Sequence, residues 1–338
     1  MKYRFRRYRR RPLRWLCWAP ILLLPVVFFL LCLHSAENGG ADAEEVFSEE
    51  PALSKQEIVV SYHESGDRVT LPLETYVIGV VAAEMPSSFE PEALKAQAVI
   101  ARSYALGKIN ANAGKAANGH GDLCDDPGHC QAYYDPAYLE KEWGADFAEK
   151  YRKVTDAVTA TAGQVLTYEG GTAQTFYHST CGGKTASAKE VWGEEIPYLQ
   201  SVTCKWDRDA PRYRETFSVS LSDLPWLLGD GSSPCIAVAE GETVTVVPTV
   251  EGESDSGRIE AVSYAGLMFD AADFRKALGL NSTRFTLESD GEMLKVTTYG
   301  FGHGVGLCQY GANGMAKDGK TYDEILSYYY KGTELNTF

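Results

Sequence analysis

One glutamate falls among apolar residues in a pattern that suits acid catalysis. Val77, Val80, Val81 and Glu84 follow the spacing i, i+3, i+4, i+7, which places them on one face of a helix. Pro86 disfavours helical geometry at the residue before it, so we expect this helix to end near Glu84. Burial and the exposed carbonyls of the helix end both favour the protonated carboxyl, which a general acid needs. The alternative is a core-edge glutamate whose carboxylate reaches water.

The next segment predicts a second helix, with polar side chains on and beside a stripe of small residues. Pro91 opens its first turn. Gln97 falls on the stripe, where it is either a satisfied core amide or a substrate contact. Arg102 and Ser103 lie beside the stripe. Arg102 is either a surface cation or a fixed charge near Glu84 that binds a sugar acid or a leaving group.

Two histidines and two cysteines share a short segment rich in glycine and aspartate: His120, Cys124, His129 and Cys130. Four such ligands in a segment with little apolar content predict tetrahedral zinc. A closed four-ligand site is structural, whereas three ligands leave the open position of a catalytic zinc. The alternative to a metal is a disulfide between Cys124 and Cys130, with two unrelated histidines.

The beginning of the chain predicts a membrane anchor. Residues 1–34 contain eight basic and no acidic residues, and residues 15–33 form a stretch without charge. At helical rise this stretch spans roughly 28 Å, close to the hydrocarbon core of a bilayer. The arginine-rich residues 1–14 should stay cytoplasmic, so everything after the anchor is exported. The alternative is a cleaved signal peptide with its site near 41–43.

Composition separates this start from the rest of the chain. The net charge is −14, so the chain after residue 34 carries −22, which argues against nucleic-acid binding. Residues 34–56 are acidic and small, and they predict a flexible tether. Six of the eight cysteines lie beyond the anchor. Cys181 and Cys204 are a candidate disulfide pair, and Cys308 is either a buried thiol or a partner of Cys235, although a count cannot establish pairing.

The exported part predicts an α+β fold. Strand patterns occur at 58–62, 165–168 and 173–178, with a hairpin at Gly170 and Gly171. Helical periodicity is found at 73–85, 91–109, 146–161, 271–278 and 322–330. The absence of regular βαβ alternation favours α+β over a parallel sheet. Acidic, glycine- and serine-rich segments predict a smaller inserted subdomain around 214–290 of the domain at 57–338.

Several of these motifs together resemble the stage II sporulation protein D family. The matching segments cover nearly all of residues 57–338: LETYV at 73–77, VAAEMP at 81–86, EALKAQA at 92–98, ARSYA at 101–105, YHST at 177–180, GGKT at 182–185, VWG at 191–193, GHGVG at 302–306 and QYGA at 309–312. The resemblance implies a lytic transglycosylase that cuts peptide-stripped peptidoglycan glycan during spore engulfment. It places the catalytic glutamate on Glu84 and an active-site arginine on Arg102. Weaker matches are Gln97, Ser103, Tyr177 and His303.

One carboxylate suffices for this chemistry, whereas most glycosidases need two. Glu84 would protonate the glycosidic oxygen and then take the proton from the muramyl C6 hydroxyl, which closes a 1,6-anhydro ring. Arg102 would hold the lactyl carboxylate. His303 lies in the glycine-rich segment 300–306, which lacks the ending of a phosphate loop and is expected to bring backbone close to a sugar. The alternative is a satisfied structural histidine.

The resemblance also implies a metal and partners. Clostridial members bind a metal through two cysteines and two histidines at similar spacing, which supports a structural Zn²⁺ in which His120 is the least certain ligand. The implied partners are an exported amidase, stage II sporulation protein P, and a membrane scaffold, stage II sporulation protein M. Two other functions stay open: a zinc-dependent cell-wall hydrolase or amidase, and a non-catalytic binding module, since amidase enhancers share much of this domain.

Overall fold

The computed structural model describes residues 56–112, 121–229, 236–239 and 242–338, which form a mixed α+β structure with several small sheets. The predicted mixture of helices and strands is therefore confirmed. The predicted tail, anchor and tether lie outside the described residues, apart from Gln56. Within the described ranges, no helix combines the length and the apolar character needed to cross a bilayer.

The helices are given in chain order: α1 (Leu73–Glu84), α2 (Pro91–Asn112), α3 (Pro136–Trp143), α4 (Phe147–Ala160), α5 (Ala188–Trp192), α6 (Leu224–Leu227), α7 (Ala271–Leu278), α8 (Gln309–Lys317) and α9 (Tyr322–Tyr329). A 3-10 turn at Gly144–Asp146 joins α3 to α4. The five helices predicted from periodicity are confirmed as α1, α2, α4, α7 and α9, with ends that differ by at most a few residues.

The strands follow in the same way: β1 (Glu57–Ser61), β2 (Arg68–Pro72), β3 (Leu123–Cys124), β4 (Gln164–Tyr168), β5 (Gly171–Thr172), β6 (Tyr177–His178), β7 (Arg214–Ser220), β8 (Ile236–Ala239), β9 (Glu242–Thr245), β10 (Thr249–Glu253), β11 (Ile259–Tyr264), β12 (Leu267–Asp270), β13 (Phe285–Ser289), β14 (Met293–Tyr299), β15 (Leu307–Cys308) and β16 (Glu334–Thr337). They pair in the orders β2-β1-β3, β16-β4-β5, β15-β6, β13-β14-β7, β10-β11-β12 and β8-β9.

The predicted hairpin exists, but its turn lies one residue earlier. Thr167 pairs with Thr172, and Tyr168 pairs with Gly171, so Glu169 and Gly170 form the two-residue turn. Both have positive φ (49° and 79°), as the hairpin turn of matching twist requires. Of the strand predicted at 173–178, only the end is confirmed, as β6, which joins β15 in parallel. Residues 173–176 are not part of a strand, although the Ala173 N–H donates to the carbonyl of Leu166 in β4.

Helix α2 runs through the centre of the main core. It packs against α1, α4, α8, α9 and β4. Leu94, Val99 and Ile100 are fully buried, and so are the polar Gln97, Arg102 and Ser103. The sequence predicted one apolar stripe with polar residues beside it. Because neighbours surround α2 on several sides, those polar residues are also buried and need partners inside the protein.

A second group of buried side chains packs together between Leu221 and Val296. Sheet β13-β14-β7 and helix α7 contribute to it, as does β11. Strand β7 pairs with β14 from Arg214 opposite Tyr299 to Ser220 opposite Met293. The segment between β7 and β14 therefore begins and ends at two neighbouring strands of one sheet.

Candidate functional site

Glu84 is the last residue of α1, at the end of the apolar stripe. Val77 and Val81 are fully buried, whereas Glu84 is partly exposed. Met85 is extended (φ −122°, ψ 139°), and its N–H donates to the carbonyl of Val81. The predicted helix end is confirmed, because Pro86 disfavours a further helical residue. Free carbonyls at this end add negative potential near the Glu84 carboxyl and oppose its ionisation.

The Glu84 carboxyl contacts the segment that follows the cysteine–histidine cluster. Its Oε1 accepts a hydrogen bond of 2.9 Å from the backbone N–H of Ala132. The Tyr177 hydroxyl also lies within hydrogen-bonding reach. Burial raises the pKa of Glu84 above its ordinary value; the Ala132 N–H, and the Tyr177 hydroxyl when it turns its proton toward the carboxylate, oppose that rise only in part. The environment therefore favours a carboxylic acid that can donate a proton.

Gln131 determines whether the Tyr177 hydroxyl donates to Glu84 or accepts from it. Its Nε2 lies 3.3 Å from the carbonyl of Ala101, which can only accept, so its Oε1 faces Tyr177. The Tyr177 hydroxyl donates to this Oε1 at 3.0 Å. A phenol has one proton, so Tyr177 then meets Glu84 as an acceptor. Every group is satisfied when Glu84 is protonated, and its ionisation would take the donor away from Gln131.

Gly79 allows the segment that carries Ala132 to pass close over α1. The Tyr134 N–H lies 3.4 Å from the Gly79 carbonyl oxygen, and a Cβ at Gly79 would lie 2.6 Å from the Tyr134 carbonyl oxygen. The Tyr134 ring stacks on Tyr138 with centroids 4.3 Å apart, and both rings are exposed. Tyr134 lies two residues after Ala132, whose N–H contacts the Glu84 carboxyl, so this aromatic pair lies near the acid.

Arg102 lies in the core, in contrast to the expected contact with substrate. Its Nε and Nη2 donate to the two carboxylate oxygens of Glu74 at 2.8 and 2.6 Å. The remaining N–H groups reach the carbonyls of Ala98, Val158 and Gln164. All five donors are thus used inside the protein, and the side chain is 0% exposed. This geometry favours a structural role, in which Arg102 joins α1, α2, α4 and the start of β4; the contact with substrate stays a prediction.

Ser103 and Gln97 are likewise buried between elements. The Ser103 hydroxyl donates to the Val99 carbonyl at 2.7 Å and accepts from the Leu166 N–H at 2.9 Å, which ties α2 to β4. Gln97 Oε1 accepts from Gln309 at 3.4 Å, and its Nε2 has no hydrogen-bond partner among the described residues. Neither contact reaches Glu84. The structure therefore favours the core alternative for Gln97 and places Ser103 between α2 and β4; a substrate contact by either residue stays a prediction.

His303 contacts the backbone of Tyr177. Its Nδ1 accepts from the Val305 N–H at 3.1 Å, so the neutral ring carries its proton on Nε2, which bonds the Tyr177 backbone. Burial lowers the pKa of His303 to about 4. Its ring also packs against Phe176 and the exposed Trp192. Of the two predicted roles, these contacts favour a neutral structural histidine.

The predicted metal ligands converge as far as the structure describes them. Cys124 Sγ lies 3.2 Å from His129 Nδ1, and Cys130 Sγ lies 3.4 Å from the same nitrogen. The three donor atoms all lie within 4.8 Å of one another. His120 lies outside the described residues. Two thiols and an imidazole at this separation fit a tetrahedral zinc ion.

A second group of possible metal ligands was not predicted. Cys181, Cys204, Asp207 and Cys308 are fully buried, and their donor atoms lie within 4.8 Å of one another, so they could share one metal ion. All three cysteines are free thiols, which agrees with the buried thiol considered for Cys308 but not with a disulfide between Cys181 and Cys204. Cys235 lies outside the described residues.

Sequence reasoning also missed Gln131 and the Ala132 N–H. Their one available signal was position, since they directly follow the predicted ligand Cys130. Asp207 stands three residues after Cys204, but nothing in the spacing links either residue to Cys308. Backbone donors and contacts between distant segments leave no pattern in one sequence.

Comparison with known proteins agrees with the family suggested by the motifs. Residues 62–168 match the family model SpoIID, stage II sporulation protein. The chain is 39% identical over 331 residues to stage II sporulation protein D of Bacillus subtilis (strain 168), with 94% of this chain and 93% of that protein covered. It is 36% identical over 329 residues to the protein of that name from Bacillus amyloliquefaciens, covering 94% and 92%.

A more distant relative is the amidase enhancer of Bacillus subtilis (strain 168), which is 28% identical over 305 residues. This match covers 77% of the chain but 40% of the amidase enhancer. The identity to the sporulation proteins is higher and extends along nearly their whole length. The chain therefore belongs to the stage II sporulation protein D family.

Proposed function

We propose that this protein is a lytic transglycosylase that cleaves peptide-stripped peptidoglycan glycan and leaves 1,6-anhydromuramyl ends. One observation carries the proposal: Glu84 is a largely buried carboxyl at a helix end, with its pKa raised by burial. A carboxyl in this setting suits a mechanism that uses one group for both proton transfers, as acid and then as base.

The reaction divides into two proton transfers at Glu84. The protonated carboxyl gives its proton to the glycosidic oxygen while the bond from that oxygen to muramyl C1 breaks. The carboxylate then takes the proton of the C6 hydroxyl as the C6 oxygen bonds to C1, which closes the anhydro ring and restores the acid. In the carboxylate state the Tyr177 hydroxyl can turn its proton from Gln131 to Glu84. The exposed rings of Tyr134 and Tyr138 offer apolar faces to the sugars.

Zinc held by Cys124, His129 and Cys130, with His120 as the expected fourth ligand, would have a structural role. The residues after Cys130 are Gln131 and Ala132, which contact Tyr177 and Glu84. A bound ion would supply cross-links that fix the segment whose next two residues orient the acid. The alternative, a zinc-dependent hydrolase or amidase, needs a catalytic zinc with an open position.

Location and partners belong to the same proposal. Residues 1–14 would be cytoplasmic, 15–33 would anchor the chain in the cell membrane, and the catalytic domain would work outside. Stage II sporulation protein P would remove stem peptides first, and stage II sporulation protein M would hold the enzymes together. Sporulation as the setting rests on the family to which the chain belongs.

The test is Glu84→Gln in the purified full-length chain, because glutamine keeps volume and hydrogen bonding but transfers no proton. The rate on peptide-stripped glycan should fall at least about a hundredfold, the usual scale of general acid–base catalysis. Glycan binding should survive. Glu140→Gln, on the exposed side of α3, is the matched control and should keep the wild-type rate.

Mass spectrometry of the products separates the candidate functions. Anhydromuramyl ends support the transglycosylase, whereas reducing ends alone would make the protein a hydrolase. An undiminished Glu84→Gln variant would contradict the catalytic assignment. If the purified chain releases no fragments but stimulates an added amidase, it is a binding module of the kind suggested by the 28% identity to the amidase enhancer.

A further inference from the structure

Three distant segments meet at the buried group formed by Cys181, Cys204, Asp207 and Cys308. Cys181 follows β6, Cys204 and Asp207 lie between α5 and β7, and Cys308 ends β15 at the start of α8. All four side chains are 0% exposed. Their convergence is produced by the tertiary fold, because Cys308 is more than a hundred residues from its neighbours in the group.

The separations suit a tetrahedral ion. Zinc binds sulfur at about 2.3 Å and carboxylate oxygen at about 2.0–2.2 Å, so neighbouring donors should be roughly 3.5–3.8 Å apart. Asp207 Oδ2 lies 3.0 Å from Cys181 Sγ and 3.8 Å from Cys308 Sγ. All four donor atoms lie within 4.8 Å of one another. Shifts of no more than about 1 Å would bring the donors to these separations.

Asp207 lacks the cation that a buried carboxylate needs. No lysine, arginine or histidine of the described residues forms an ion pair with it. Its Oδ2 accepts from the Gly182 N–H at 2.8 Å, but its Oδ1 has no hydrogen-bond partner there. Buried charges are normally paired or coordinate metals. A divalent ion among the three thiols would supply the missing charge.

The surroundings of the sulfurs resemble those of metal-bound cysteines. The Gly183 N–H lies 3.3 Å from Cys181 Sγ, and the Gly311 N–H lies 3.4 Å from Cys308 Sγ. Tyr329 places its hydroxyl 3.3 Å from Cys204 Sγ. Donors of this kind stabilise thiolates and orient them toward an ion. Gly311 also permits the close approach, because a Cβ there would lie 2.5 Å from Cys204 Sγ.

A disulfide explains this group less well than a metal. Any pair of the three thiols would leave the third cysteine buried beside Asp207, with the carboxylate still without a cation. Thiolate ligands favour zinc over magnesium or calcium, and a closed set of four buried ligands is typical of a structural site. We propose that Cys181, Cys204, Asp207 and Cys308 bind a structural zinc ion, separate from the ion expected at Cys124.

This site would fasten three parts of the fold. Strand β6 carries Tyr177. The site joins the segment directly after this strand to the segment before β7 and to the N-terminus of α8. Its contribution would be to stability, since no ligand position is open for substrate.

The test uses the full-length variant C124S/C130S/C235S, which leaves the buried group intact and removes the other cysteines beyond residue 34. For this measurement the variant is expressed with export to an oxidising compartment and is purified without chelator or reductant. Elemental analysis should find about one zinc per chain. X-ray absorption at the zinc edge should show three sulfur neighbours and one oxygen.

Adding D207N to this variant keeps the shape but removes the carboxylate, and it should weaken zinc retention during dialysis against a chelator. A mapped disulfide between two of the three cysteines, without zinc, would overturn the proposal. So would zinc bound only through nitrogen or oxygen, or three free thiols with no metal. The wild-type chain, measured in parallel, should hold about two zinc ions, one more than the variant; a wild-type chain with zinc at the Cys124 group alone would overturn the proposal without relying on the fold of the variant.

Discussion

Replacing Arg102 by methionine tests whether this arginine stabilises the core or binds substrate. Methionine keeps most of the aliphatic volume but removes all five N–H donors. Glu74 would then stay buried, at 1% exposure, with the Gly163 N–H at 3.1 Å as its remaining hydrogen bond in the described structure. Breaking a buried ion pair from one side costs about 3–5 kcal/mol. We expect Arg102→Met to lose that much, a large part of the roughly 5–15 kcal/mol typical of native proteins.

The assay is urea unfolding of the full-length chain, followed by tryptophan fluorescence. The double variant Glu74→Gln with Arg102→Met removes the unpaired charge and keeps an acceptor for the Gly163 N–H. It should therefore be more stable than Arg102→Met alone. Arg152→Met, at an exposed position of α4, is the matched control and should change stability by less than about 0.5 kcal/mol.

The opposite result would refute this reasoning. If Arg102→Met unfolds at the wild-type urea concentration but no longer binds peptide-stripped glycan, the arginine contacts substrate. The ion pair with Glu74 would then be absent from the protein that binds glycan. A stability loss shared by the single and double variants would instead show that the unpaired charge is not the main cost.

Three further predictions concern the acid and the loop beside it. Because burial raises the pKa of Glu84, activity should fall as pH rises through that raised value. The folded state also loses the stabilising protonation of this carboxyl as pH rises from the ordinary pKa to the raised one. The unfolding free energy of the wild type, measured from pH 4 to 8, should therefore fall relative to that of Glu84→Gln. Gln131→Met frees the Tyr177 hydroxyl to donate to the ionised acid, so the alkaline limb of the pH–rate profile should move to lower pH; an unmoved limb would contradict the proton arrangement. Cys124→Ser should lower both zinc content and melting temperature, whereas Glu84→Gln should change neither; unchanged zinc would remove Cys124 from the ligand set.

Local sequence rules identified much of what lies close together along the chain. The end of α1 at Glu84 follows from apolar spacing and Pro86. The three described ligands of the loop cluster lie within a few residues of one another, so their convergence needed little more than a turn. Only Tyr177 and His178 of the strand predicted at 173–178 form a strand, and their partner β15 is more than a hundred residues away, so one segment could not reveal the pairing.

The sequence by itself determined the helix that carries Glu84, the apolar face on which it lies, and the family to which the chain belongs. Only the tertiary structure decided what surrounds each polar group. Arg102 and Ser103 have the same local pattern whether they face solvent or a partner, and packing of α1, α4 and β4 around α2 made both internal. Gln131 reaches Tyr177, and Cys308 reaches Asp207, because contacts between distant segments depend on how the elements pack. Spacing along one helix or strand carries no information about that packing.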